Sequence, residues 1–277
     1  MSTSTRILMC PPDHFHVNYA INPWMKGNQD QVSQEKAMSQ WQALRALVAR
    51  FAEVVEIEPQ EGVPDMVFTA NAGTVAGKRA VVSSFAHKER QPEERHFAQF
   101  FRKIGYEVGE LPEGVRYEGA GDSLFDRGGE WLWAGSGFRT DREAHEFVAD
   151  FLGVDVLSLT LVDERFYHID TCFCPLAGGW LLYYPQAYDV ASNELIESRV
   201  PAERRIRVTE EEAAEFSCNA INIGENVIMH DCSDRLRSEL ERAGFTVHTT
   251  SLSEFLKAGG SAKCLSLKLD EPEAIAK

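Results

Sequence analysis

At 277 residues and 31.1 kDa the chain can bury a sizeable core without disulfide staples, and with 44% hydrophobic and 26% charged residues it carries no low-complexity tract, so a small stapled scaffold and a disordered tail are excluded. Forty-three acidic against 28 basic residues give a formal net charge of −15 with no Lys/Arg-rich stripe, which argues against nucleic acid and anionic membrane as partners. No apolar run suits a membrane span, the N-terminus lacks an apolar signal segment, and six cysteines without a CxxC predict free thiols in a reducing, cytoplasmic setting.

In chain order, residues 6–10 read as a short apolar strand, 34–51 as an amphipathic helix and 54–58 as a closing strand. Residues 69–83 then read as two β-rich strands around a turn at Gly77, followed by a helix over 92–104 and a strand over 106–111. The same order returns at 123–134 around Gly128, with a helix over 141–152 and a strand over 155–161. It returns again at 171–184 around Gly178, with a weaker helical stretch near 192–197 and a strand over 205–208. A fourth copy covers 217–230 around Gly224, a helix over 233–243 and a strand over 245–250. Asp141 and Ser233 stand where N-caps belong. Residues 263–269 form an isolated last strand.

The turn glycines lie 51, 50 and 46 residues apart, and the two ends of the sequence supply pieces of a fifth unit. This repetition predicts an α/β fold, a five-fold pseudosymmetric propeller of ββαβ units forming a single domain over residues 1–277 and closed around a central channel. The alternative is an ordinary α/β domain with coincidental hairpin spacing.

In such a ring the entries to the hairpins face one centre, and they are polar. Asn71, Asp122, Cys172 and Cys218 each precede their turn glycine by six residues, while Glu118 and His168 precede theirs by ten. A thiol, an imidazole and carboxylates around one channel suit a planar guanidinium. Carboxylates grip the cation, a thiolate attacks its carbon, and histidine carries the proton to the departing nitrogen. Cys218 competes with Cys264 for the nucleophile's place, although 217–221 reads as a packed strand. Cys172 and Cys174 share a strand face and suit a structural role. His168 and Asp170, two apart on an extended segment, share a face, and His14 and His16 read as a loop near the channel mouth.

These segments resemble the pentein superfamily of guanidine-modifying enzymes, which includes arginine deiminase, dimethylarginine dimethylaminohydrolase and the amidinotransferases. Phe68-Thr69-Ala70-Asn71 is similar to the family's Phe-Thr-Arg-Asp loop, Glu118-Gly119-Ala120-Gly121-Asp122 to its Glu-Gly-Gly-Asp, and His168-Ile169-Asp170-Thr171 to its His-x-Asp-Thr. Gly259-Gly260 ahead of Cys264 is similar to its C-terminal nucleophile segment. The resemblance implies Cys264 as nucleophile, His168 as acid/base and Glu118 as the carboxylate that orients or charges the imidazole. Asn71, Asp65, Asp170 and Asp122 then belong to substrate binding. Arg139, in a segment resembling the family's Gly-x-x-x-Arg-Thr, is the main candidate for the substrate carboxylate, and Arg90 is the weaker one.

Met9-Cys10-Pro11-Pro12-Asp13-His14-Phe15 and Asn22-Pro23-Trp24-Met25 are similar to the narrower arginine dihydrolase group, which adds Asn22 to the substrate set. Asn71 stands where deiminases carry Asp. The group's activity implies hydrolysis of free L-arginine through a covalent Cys thiouronium to ornithine, ammonia and carbon dioxide. The alternatives are a deiminase or dimethylarginine dimethylaminohydrolase that stops at citrulline, an inactive arginine-sensing module, and a metal hydrolase. No cofactor and no metal are implied. The expected partner is a small-molecule substrate, arginine or a close guanidine analogue, and the chain is compatible with a homo-oligomer.

Overall fold

A computed structural model of the chain describes residues 5–272. Strand β1 (Arg6–Met9) runs parallel to β2 (Glu53–Glu56), and helix α1 (Gln34–Val48) lies between them in sequence. Parallel pairing demands such a crossover. The Ser33 side chain caps α1 by accepting the Lys36 N–H, and Ala37, Trp41, Leu44 and Val48 bury its inner face.

The next unit pairs β3 (Gly73–Ala76) with β4 (Arg79–Val82) as an antiparallel hairpin, and α2 (Glu93–Lys103) returns the chain to β5 (Glu107–Gly109), parallel to β4. The third unit repeats this with β6 (Ser123–Phe125), β7 (Trp131–Ser136), α3 (Ala144–Leu152) and β8 (Asp155–Thr160). The fourth contains β9 (Phe173–Leu176), β10 (Trp180–Tyr183), α4 (Val190–Arg199) and β11 (Arg205–Arg207). Helix α5 (Glu210–Ala214), opened by a Thr209/Glu212 capping box, leads to β12 (Ile221–Ile223), β13 (Asn226–Met229), α6 (Asp234–Arg242) and β14 (Thr246–Thr249). After α7 (Ser253–Leu256), β15 (Leu267–Lys268) pairs antiparallel with β1 and completes the first unit.

Among the described residues there are five three-stranded sheets, each an antiparallel pair with a parallel third strand. The five-fold ββαβ arrangement expected from the glycine spacing is therefore present. Strands of two to six residues are weak alone, and their cohesion comes from apolar side chains between sheets and helices. Trp133, Tyr183 and Phe173 are almost wholly buried in the largest such cluster.

Several local expectations give way. Asp141 does not cap α3, because its carboxylate is taken by the Arg116 N–H (2.9 Å) and guanidinium (2.5 Å); the helix starts at Ala144 without a side-chain cap. The weak stretch near 192–197 is the full helix α4, capped by Asp189. Residues 217–220 form a turn rather than a strand, and of 263–269 only Leu267–Lys268 enters the sheet. Three hairpin entries, Thr69–Ala72, Gly119–Gly121 and Ile169–Thr171, are 3₁₀ turns, which pack against one another around the centre. Gly119 (φ 59°) sits at a close approach of two of these segments, where a Cβ would stand 2.8 Å from the Gly73 backbone.

Candidate active site

Cys264 lies in the turn that precedes β15, and Asn219 holds it from two sides. The Asn219 Oδ1 accepts the Cys264 N–H (3.1 Å), and its Nδ2 donates to the Cys264 Sγ (3.0 Å) and to the Asp170 carbonyl (2.9 Å). The thiol itself points at the Asp170 carboxylate, 3.5 Å from Oδ2. Burial first, and then Asp170, push the thiol far above its ordinary value, so it rests protonated. Gly260 is required by the approach of Phe68, whose ring a Cβ would meet at 2.4 Å.

Across the cleft, Nε2 of His168 meets Oε2 of Glu118 at 2.7 Å. Glu118 also accepts from Arg139 Nη1 (3.1 Å) and the Ala86 N–H (3.2 Å). Burial alone would raise the Glu118 carboxyl, but Arg139 and His168 outweigh it and hold the group well below the carboxylate range. Behind them Asp122 accepts from Thr140 Oγ1 (2.7 Å) and the Ile169 N–H (3.1 Å), and lies 4.0 Å from His168. Burial pushes Asp122 up to about 6, against the pull of His168 and Thr140.

The third wall is a buried polar network. Arg90 binds the Glu93 carboxylate (2.8 and 2.9 Å) and donates through Nη1 to Asn71 Oδ1 (2.9 Å) and through Nη2 to the Asp65 carbonyl (3.2 Å). With Oδ1 so fixed, the Asn71 amide is oriented, and its Nδ2 donates to the Glu118 carbonyl (3.0 Å). Gly121 makes room for it: a Cβ there would stand 2.3 Å from Asn71 Nδ2 and 3.2 Å from His168 Nδ1. Asp65, 1% exposed, accepts from the Tyr19 hydroxyl on Oδ2 (2.7 Å), while its buried Oδ1 has no hydrogen-bond partner. Burial raises the Asp65 carboxyl, and Arg90 opposes the rise.

These groups surround a cleft of about 290 Å³, lined by Cys264, His168, Asn71, Asp65, Arg90 and Arg139 together with Asn22 and Tyr167. Asn22 caps the Pro23–Met25 turn through Oδ1 and donates to the Ala258 carbonyl (3.0 Å). Glu118, Asp122 and Asp170 stand behind the cleft rather than lining it, and of these Glu118 touches the His168 ring as expected. For Asp122 this corrects the substrate-binding expectation, since its oxygens serve Thr140, Ile169 and His168. His168 and Asp170 do not share a strand face either. The 3₁₀ turn between them sends His168 to Glu118 and Asp170 to Cys264. Neither Arg90 nor Arg139 is a surface ion pair, as both are at most 4% exposed.

Cys218 lies in the apolar core away from the cleft, its thiol pushed up by burial. The motifs give no role to Asn219, Tyr167 or Tyr19, although the first two stand in hairpin entries. Asn219 carried a usable signal, being the polar neighbour of Cys218 in the matching slot. Tyr19 sits in a long irregular segment with no repeat to align it.

A family model described as "N,N dimethylarginine dimethylhydrolase, eukaryotic" matches residues 11–269. The chain is 54% identical over 272 residues to the bifunctional arginine dihydrolase/ornithine cyclodeaminase ArgZ of Synechocystis, covering 98% of this chain and 39% of that protein. It thus spans about two-fifths of that relative's length. It is 41% identical over 267 residues to the N(G),N(G)-dimethylarginine dimethylaminohydrolase of Mycobacterium tuberculosis, covering 95% of this chain and 85% of that one. The crystal structure of the N-terminal domain of the cyanobacterial ArgZ, a C264S mutant bound to substrate, is similar with a TM-score of 0.96 at 54% identity, over 97% of this chain and 99% of that one.

Proposed function

The chain belongs to the N,N-dimethylarginine dimethylhydrolase family, and from that premise we propose that residues 1–277 act as one catalytic domain that hydrolyses the guanidine of free L-arginine to ornithine, two ammonias and carbon dioxide. In this reading Cys264 is the nucleophile. Its thiol is neutral at rest, and the arriving guanidinium supplies the charge that lets it ionise, its proton passing to His168. The thiolate bonds to the guanidinium carbon, His168 gives the proton with which ammonia departs, and Glu118 steadies the ring. A thiouronium remains on sulfur. Water, losing a proton to His168, adds to that carbon, the C–S bond breaks, and citrulline is left beside a regenerated thiolate.

The observation that carries the second hydrolysis is the Asn71 amide. Arg90 fixes its oxygen and the Glu118 carbonyl takes one of its hydrogens. The other hydrogen is available to a ureido oxygen, a donation that a carboxylate could not make. Asp65, with its unpartnered oxygen, grips the cation. Arg139 takes the substrate carboxylate near Asn22, while Arg90 serves Asn71. The relation to ArgZ supports this product over citrulline.

The reading extends to a cytoplasmic location, supported by six free cysteines, all buried. Among the described residues no helix is long and apolar enough to cross a membrane. Chromatography of the products from arginine tests the proposal. Ornithine without accumulating citrulline upholds it, and stoichiometric citrulline overturns it.

A further inference from the structure

Lys263 immediately precedes the nucleophile and faces the other way. Cys264 lines the substrate cleft, whereas Lys263 lines a second cavity, on the opposite side of the same turn, formed by residues of all five sheets. Its Nζ donates to the carbonyls of Ala120 (3.3 Å) and Ser266 (3.4 Å), neither of them a charged partner. On that side it also faces Glu271, which is bound to Arg127 (2.5 and 2.6 Å), and the thiol of Cys174. The acid that acts on it most strongly is Asp170, and next comes Cys264 itself.

The other charged groups around Cys264 are committed elsewhere. Arg90 is paired with Glu93, Arg139 with Glu118, and His168 is hydrogen-bonded to Glu118. Asp170, 3.5 Å from the sulfur, opposes a thiolate, and Asp65 and Tyr167 add no positive charge. In the first attack the substrate brings its own cation. In the second attack the ureido group is neutral, so that help is gone while Asp170 remains.

We propose that Lys263 is a positioning residue, a cation fixed behind the nucleophile that sustains the Cys264 thiolate for the second attack, on the neutral ureido carbon. This rests on the double hydrolysis proposed above. In that round the thiolate forms a C–S bond to the ureido carbon and the C–NH₂ bond breaks. Ammonia leaves with a proton from His168, and a thiocarbamate remains. Water then adds, giving a proton to His168; the C–S bond breaks back to thiolate, and the N-carboxy product loses carbon dioxide to give ornithine. Lys263 exchanges no proton in these steps. Burial draws its ammonium down from the ordinary value while Asp170 and Cys264 draw it back, so charge forming on sulfur strengthens the ammonium behind it.

Two variants separate charge from shape. Lys263→Met keeps the side-chain length, and Lys263→Gln keeps a donor for the two carbonyls, but neither carries charge. The rate of iodoacetamide alkylation of Cys264 against pH, measured without substrate, should move to higher pH by about one unit in both, a roughly tenfold slower reaction at fixed pH below the midpoint. With arginine, both should release citrulline at a ratio to ornithine raised about tenfold or more over wild type, and Lys263→Arg should restore both readouts. An unchanged alkylation profile with an unchanged product ratio in folded variants overturns the proposal, as does Lys263→Gln behaving as wild type. A wild-type enzyme that stops at citrulline overturns the double hydrolysis itself and this use of Lys263 with it. The substrate-free alkylation profile then shows separately whether Lys263 acts on the thiol.

Discussion

The imidazole of His168 and the carboxylate of Glu118 meet at 2.7 Å with at most 2% of either residue exposed, and Arg139 approaches the same oxygen at 3.1 Å. One oxygen thus receives two donors, and all three residues are buried. His168→Ala is expected to slow turnover by about two to four orders of magnitude, the range of a positioned acid/base. Single-turnover kinetics check this, and a near-wild-type rate returns His168 to a packing role.

Cys264→Ser should abolish turnover while arginine still binds and the melting curve stays near that of wild type, since exchange of sulfur for oxygen opens no large cavity. A haloacetamidine followed by peptide mapping should label Cys264. Labelling of Cys218 with Cys264 spared contradicts the assignment.

Asn71→Asp replaces a donor by an acceptor 3.0 Å from the Glu118 carbonyl, so the hydrogen bond becomes a repulsion. The expected outcome is a shift from ornithine toward citrulline in the product ratio. An unaltered ratio makes Asn71 a turn residue and nothing more.

Asp65→Asn removes the charge on the buried oxygen that lacks a partner. A charge-assisted hydrogen bond contributes about 1.5–3 kcal/mol, which converts to a KM for arginine raised about 10- to 100-fold, with kcat less affected. Steady-state kinetics decide, and an unchanged KM removes Asp65 from substrate binding.

Two buried carboxyls give opposite pH behaviour. The Glu118 carboxyl is depressed, so its contribution to stability is complete above the unfolded value near 4.5 and is lost as the pH falls through the folded value. Asp122 is raised to about 6, so its ionisation costs stability as the pH rises through that value. The acid limb of kcat/KM should therefore contain a group near 6 that Asp122→Asn removes. A limb identical in that variant shows that Asp122 does not govern it.

The five-fold order was legible because each hairpin carries its own turn glycine and apolar alternation, and the expected and observed units coincide from Gly77 to Gly224. What stayed hidden depends on contacts distant in sequence. The α5 helix and the turn after it shift the fourth entry by one residue, so counting from Gly224 pointed at buried Cys218 while its neighbour Asn219 holds Cys264. The sequence could place Arg90 and Arg139 near a carboxylate ligand but not reveal that Glu93 and Glu118 already bind them. Asp141 looked like a cap because nothing nearby announces its pairing with Arg116.

The pairing of Leu8 with Leu267 sets an order of events during synthesis. A chain emerging from the ribosome can complete four sheets while β1 still waits for β15. The turn bearing Cys264 directly precedes that strand, so the thiol meets Asp170 and Asn219 only when β15 docks and completes the first unit. Sequence-distant pairing of this kind slows folding, and here it also keeps a half-made ring from presenting an assembled nucleophile to the metabolites around it.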